Sequence, residues 1–226
     1  NAGGTAGFTT RNTTTLTGTI GANTTITVQG VTGAHANLNA AAPVTNNGVI
    51  KLESLSNQSN LSVSGAGFTN NGTLQVNLGV GAGDNRRFYT GHLINNGTIT
   101  VDHPLTLTTV SGVYTNNSTL TINGANVVDF NGASQSFVQA AGTIGGTGTL
   151  SASNGALTYN GGTSTAQVLL VSSALTLGPA AAGPATFTTR NTSTLSGDVA
   201  AAVQIVVQGT GGAHANLNAA AAVTNN

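Results

Sequence analysis

Cleaving a glycosidic bond needs two carboxylates held across a sugar, and Glu53 and Asp102 are the pair whose spacing fits that chemistry. Each stands six residues after the last Asn of a TNNG-type turn, Asn47 and Asn96. A chain that repeats on these turns would place both acids in one column, two coils apart. At strand spacing that is ~9–10 Å, near the gap an inverting glycosidase requires. The column also contains Gln29, Asn77, Asn123, Ser153, Gly178 and Gln208, so it is a polar turn row that includes two acids. Polysaccharide-cleaving chemistry gathers acids and bases on neighbouring coils. The pattern shows no such gathering, and no catalytic residue is expected.

Charge and aromatic rings concentrate at one other place, the stretch GVGAGDNRRFYTGH. There Arg86, Arg87, Phe88 and Tyr89 form a candidate contact loop between the turns at Asn71 and Asn96, with Asp84 and His92 alongside. Arg and aromatic side chains suit sugar recognition; a lateral contact between fibres is the alternative. The four His have neither Cys nor paired acids around them, which makes a poor zinc site. GGTGTL at 145–150 lacks the Asp of calcium-binding GGxGxD repeats. No metal and no cofactor are expected.

The rest of the chain is repetition on two scales. Residues 8–47 return as 187–226 with 28 of 40 positions identical, an offset of 179 residues. Within that period a shorter one is marked by the turn residues Asn23, Asn47, Asn71, Asn96, Asn117, Thr147, Ser172, Ala202 and Asn226, at steps of 21 to 30. Three residues after the anchors come Ile26, Ile50, Leu74, Ile99, Leu120, Leu150, Leu175 and Ile205. Five after come Val28, Leu52, Val76, Val101, Ile122, Ala152, Leu177 and Val207. Three before come Ile20, Val44, Phe68, Leu93, Tyr114, Ile144, Leu169, Val199 and Val223. Polar residues alternate with these, which is the period of a half-buried strand. Recurrence at one phase means strands stacked in register.

The expected fold is therefore all-β, a right-handed parallel β-helix with about seven coils per 179-residue unit, advancing ~34 Å. Residues 1–226 read as one continuous solenoid, with 8–186 a full unit and 187–226 the start of the next. Both ends read as cuts in a longer object, or as units that stack end to end.

Two kinds of polar column follow from this stacking. Asn46, Asn70, Asn95 and Asn116, beside Asn47, Asn71, Asn96 and Asn117, are placed to hydrogen-bond along the axis as Asn ladders. Thr25, Thr27, Thr73, Thr98, Thr100, Thr119, Thr121 and Thr149 are placed outward as a flat hydroxyl face, a candidate surface for ice or glycan. Val49, Lys51 and Gln75 interrupt it.

Composition bounds the partners. Five basic and five acidic residues leave no net charge, so nothing draws the chain to nucleic acid. No apolar run approaches the ~20 residues of a membrane-spanning helix, so membrane insertion is not expected. There is no Cys and hence no disulfide framework.

The segments VTNNGVIKL, FTNNGTLQV, INNGTITV, TNNSTLTI and GTIGGTGTLSASNGAL resemble the coils of bacterial surface β-helices: autotransporter passengers and filamentous-haemagglutinin-like repetitive adhesins. The resemblance implies a secreted or cell-surface location and a role as adhesin, stalk or biofilm-matrix component. The partners it implies are further copies of the chain and surface glycans. It brings no catalytic or binding residue to carry over.

Overall fold

The computed structural model describes residues 4–63, 67–80, 87–90 and 92–226. It is an all-β solenoid in which every paired strand runs parallel to its neighbours. The chain visits three sheets in turn. The first begins with Ala6–Thr10 and Thr24–Gly30 and runs to Thr163–Ser164. The second begins with Thr13–Thr15 and ends with Val203–Val207. The third begins with Thr19–Ile20 and ends with Asn216–Ala219. They hold eight, ten and ten strands among the described residues, so a complete coil is three short strands and three corners.

Alternation builds the core. In the first sheet Ile26, Ile50, Leu74, Ile99, Leu120 and Ile144 lie in register and point inward. In the third, Val44, Phe68, Leu93, Tyr114, Phe137, Leu157, Leu175 and Leu195 do the same. Bulk is traded between neighbours: Phe130 stacks on Ala152 in the second sheet, and packs 6.1 Å from Phe137 and 6.5 Å from Tyr114 across the core. Tyr159 meets Phe187 edge-on at 5.4 Å.

The coil count departs from the sequence expectation. The 179-residue unit makes about eight turns, not seven. The anchors through Asn117 hold on the first sheet, but on the third Ile20 pairs with Asn46 and not with Val44, and Thr147, Ser172 and Ala202 do not hold. Leu120 is followed in its column by Ile144, so Leu150 and Ala152 belong to the second sheet. Leu175 and Leu177 belong to the third sheet and Ile205 to the second. Leu169 faces outward, and Val207 is exposed. Coils here are as short as 18 residues, as between Phe187 and Ile205, whereas Leu74 to Ile99 takes 25. Three faces of about six residues are the minimum, and corner insertions make up the difference. A spacing of 30 residues hid a full coil plus part of another.

Burial pushes the phenols of Tyr114 and Tyr159 above their ordinary value of 10.0. The folded chain then keeps protons that the unfolded chain gives up near pH 10, so folding is favoured below that pH and opposed above it. Chemical denaturation followed across pH should show stability falling as pH rises past about 10. Tyr114→Phe with Tyr159→Phe should flatten that fall.

Candidate functional surfaces

The TNNG turn puts two Asn side chains at the corner between the third and first sheets, and they do different things. The first Asn points inward. Asn46, Asn70, Asn95 and Asn116 are at most 2% exposed, and each amide nitrogen donates to the amide oxygen of the next coil. The distances are 2.8 Å for Asn46 to Asn70, 2.8 Å for Asn70 to Asn95, 2.7 Å for Asn95 to Asn116 and 2.9 Å for Asn116 to Gln139. Each nitrogen also donates to the backbone carbonyl of a Thr in the next coil: Thr73, Thr98, Thr119 and Thr143. The backbone N–H of Gly48 donates to Asn46 Oδ1 at 3.1 Å, which fixes which way that amide faces. The register column opens with Ile20 and runs on past Gln139 to Tyr159, whose hydroxyl donates to the Gly162 carbonyl, and to Leu177.

The second Asn points to solvent and forms a second ladder of opposite polarity. Asn71 donates to Asn47 at 3.0 Å, Asn96 to Asn71 at 3.1 Å, and Asn117 to Asn96 at 2.8 Å, each toward the preceding coil. At Gly72 closeness requires the Gly, although Ser118 follows Asn117 in its own turn. A Cβ on Gly72 would sit 2.1 Å from the carbonyl oxygen of Gly48.

The Thr face is present in part. Thr25, Val49, Thr73, Thr98, Thr119, Thr143 and Thr163 form one row of the first sheet, and Thr27, Lys51, Gln75, Thr100, Thr121 and Gly145 form the next. From Thr73 to Thr163 the first row is unbroken. Thr149 is not in it: it lies on the second sheet, paired with Val127 and Gln167, and hydrogen-bonds Gln167 Oε1 at 3.1 Å. Thr143 and Thr163, in successive coils, follow no TNNG turn, and the corner before Thr143 falls six residues ahead of Thr147. The Ile144 that follows Thr143 carries the missed signal.

The two acids sit in a mixed row. Asn77, one coil on from Glu53, donates to Glu53 Oε1 at 3.3 Å, and Asn123 donates to Asp102 Oδ1 at 2.7 Å. At the head of the row Arg11 donates twice to Gln29, at 3.2 and 2.9 Å. Each acid is thus tied to an amide of the next coil, and Asn77 occupies the coil between them. Of the candidate contact loop, Arg86 and Asp84 lie outside the described residues. Arg87–Thr90 is a strand of the second sheet, paired with Ser59–Val63 and Leu105–Leu107, so this part of the excursion belongs to the stack. Among the described residues, no three His, Asp or Glu side chains gather in a cluster able to hold a metal ion. No family model matches this chain, and neither the curated proteins nor the solved structures contain a match to it.

The two Asn ladders make opposite demands on substitution. Asn95→Ala removes a buried donor to Asn116 Oδ1 and the Thr119 carbonyl and takes from the Asn70 nitrogen one of its acceptors, leaving it the Thr98 carbonyl, a loss of roughly 2–4 kcal/mol. Asn96→Ala removes two solvent-exposed bonds, to Asn71 and from Asn117, and should cost about 1 kcal/mol or less. Urea denaturation of the two variants measures the difference.

Proposed function

We propose that this chain is a segment of an extracellular fibre or adhesin stalk whose role is reach, built by joining 179-residue solenoid units. The supporting observation is the join between the first unit and the second. The strands of the second unit continue the same sheets: Val168 pairs with Phe187 and Phe187 with Ile205, while Leu175 pairs with Leu195. Phe187 is 1% exposed, covered on both sides, although its repeat mate Phe8 is 57% exposed on the first coil. A unit joined this way adds length without a hinge. The buried Asn ladder stiffens the axis, and among the described residues no three His, Asp or Glu side chains gather in a cluster. The chain's resemblance to repetitive surface adhesins points the same way, to a secreted or cell-surface scaffold whose partners are its own copies and surface glycans.

Cryo-electron microscopy of the native material should show a continuous filament with ~4.8 Å layers and a unit repeat near ~40 Å, eight coils and a fraction. Short rods bearing a separate tip domain would instead make this segment a spacer and move adhesion to the tip.

A second reading, a repeat face that binds ice or glycan, is supported by the unbroken row from Thr73 to Thr163. Hydroxyls held ~4.8 Å apart on a flat sheet offer a regular template. This reading expects thermal hysteresis above that of a plain buffer-protein control, or retention on a glycan surface, with loss of either in Thr98→Lys with Thr119→Lys.

A further inference from the structure

The two copies of the 40-residue repeat fold alike locally. Arg11 donates twice to Gln29, and Arg190 donates twice to Gln208, at 3.1 and 2.8 Å. Asn12 and Asn191 share a left-handed backbone, with φ of 57° and 54°. Val31 bridges Ala34 in an antiparallel corner, and Thr210 bridges Ala213 in the same way. Their places in the solenoid nevertheless differ.

Ala6–Thr10 and Thr24–Gly30 lie in the first sheet, but their mates Ala185–Arg190 and Val203–Val207 lie in the second. Thr13–Thr15 and Ala36–Ala40 lie in the second sheet, and their mates Thr192–Ser196 and Asn216–Ala219 lie in the third. Each of these four strands has moved one sheet on. From Ala6 to Ala185 the chain completes eight turns and travels one face further. The slip is located at the end of the first unit. There Ser164, the last strand residue of the first sheet, donates its N–H to the Pro184 carbonyl, while Val168 of the second sheet pairs with Phe187. The segment ending at Pro184 takes the first-sheet side of that coil, and Ala185–Arg190 enters directly on the second sheet.

We propose that successive 179-residue units are each turned by one face of the three-sided solenoid, about a third of a turn for every ~40 Å of advance at strand spacing. This extension rests on the reading of the native material as an array. A row carried by the first sheet in one unit, such as Thr73 to Thr163, is carried by the second sheet in the next and by the third after that. It returns to its starting side after three units, ~120 Å. Any partner of such a row, a second fibre of the same chain included, therefore meets its contact face on one side only once in three units. Three partners are engaged around one fibre, and laterally associated fibres form an open three-dimensional mesh, not a flat ribbon.

Crosslinking reads the phase directly, because the chain has no Cys of its own. Ala174 and Thr194 are register partners on the third sheet, with outward side chains within reach of a disulfide. If the second unit were in phase with the first, residues 192–196 would lie on the second sheet, beside the outward-facing Leu169. Under mild oxidation Ala174→Cys/Thr194→Cys should close in nearly all molecules and Leu169→Cys/Thr194→Cys should stay reduced. Thr98→Cys/Thr119→Cys, register partners far from the join, serves as the control for folding and for the assay. Closure of the Leu169 pair, or failure of the Ala174 pair while the control closes, overturns the phase shift. In filaments, helical reconstruction should give a rotation near one third of a turn per unit, and a rotation near zero overturns the extension to the array. The crosslink stands apart from the fibre reading, since it reports on the join within this chain whatever the native length.

Discussion

In-register parallel stacking is the constraint on which everything else in this molecule depends. Each residue faces the equivalent residue of the coil above and of the coil below, at ~4.8 Å. A residue type is therefore tolerated only if it is compatible with its own column. Apolar side chains satisfy this inside. Asn satisfies it at the corner because an amide donates from one end and accepts at the other. Gly satisfies it where backbones touch, as Gly72 does above Gly48. Charge does not satisfy it, since like charges stacked directly repel. That accounts for a chain with only 4% charged residues, and for where they sit: Asn77 between Glu53 and Asp102, Gln29 beside Arg11, Lys51 between Thr27 and Gln75.

The same constraint explains what could be read from the sequence. The first-sheet columns through Leu120 and the third-sheet column from Val44 to Tyr114 were legible because the TNNG turns recur beside them. Both Asn ladders were legible for the same reason. Beyond Asn117 the turn sequence is lost and the reading failed. Alternation shows which residues point inward but not which of three sheets they point from. In TIGGTGTLSA, Ile144 and Leu150 both alternate correctly, and they lie on different sheets. Face assignment needs the length of every corner, and corners vary. The second sheet was illegible throughout because its strands follow corners of the most variable length. The inclusion of Thr149 in the Thr face, and the reading of Arg87–Thr90 as loop, came from this one ambiguity.

The inner and outer Asn ladders run in opposite directions along the axis. The inner ladder donates toward the later coil and the outer toward the earlier, so the amide dipoles of each TNNG corner oppose one another. The inner ladder also takes up the Gly48 N–H of its corner, within the core where water cannot help. The inner ladder ends where Gln139 gives way to Tyr159, and from there aromatic packing against Phe187 takes over the corner and leads into the second unit. At the join a ring contact stands where the body of the unit has its buried amide ladder.

The outward rows carry hydroxyls and carboxamides in place of ions. Ionic strength acts on a protein surface by screening its charges, and here there is little to screen. Whatever such a surface holds, it holds through neutral hydrogen bonds and close fit. A surface of neutral hydrogen bonds offers salt little to act on, in fresh water as in brine.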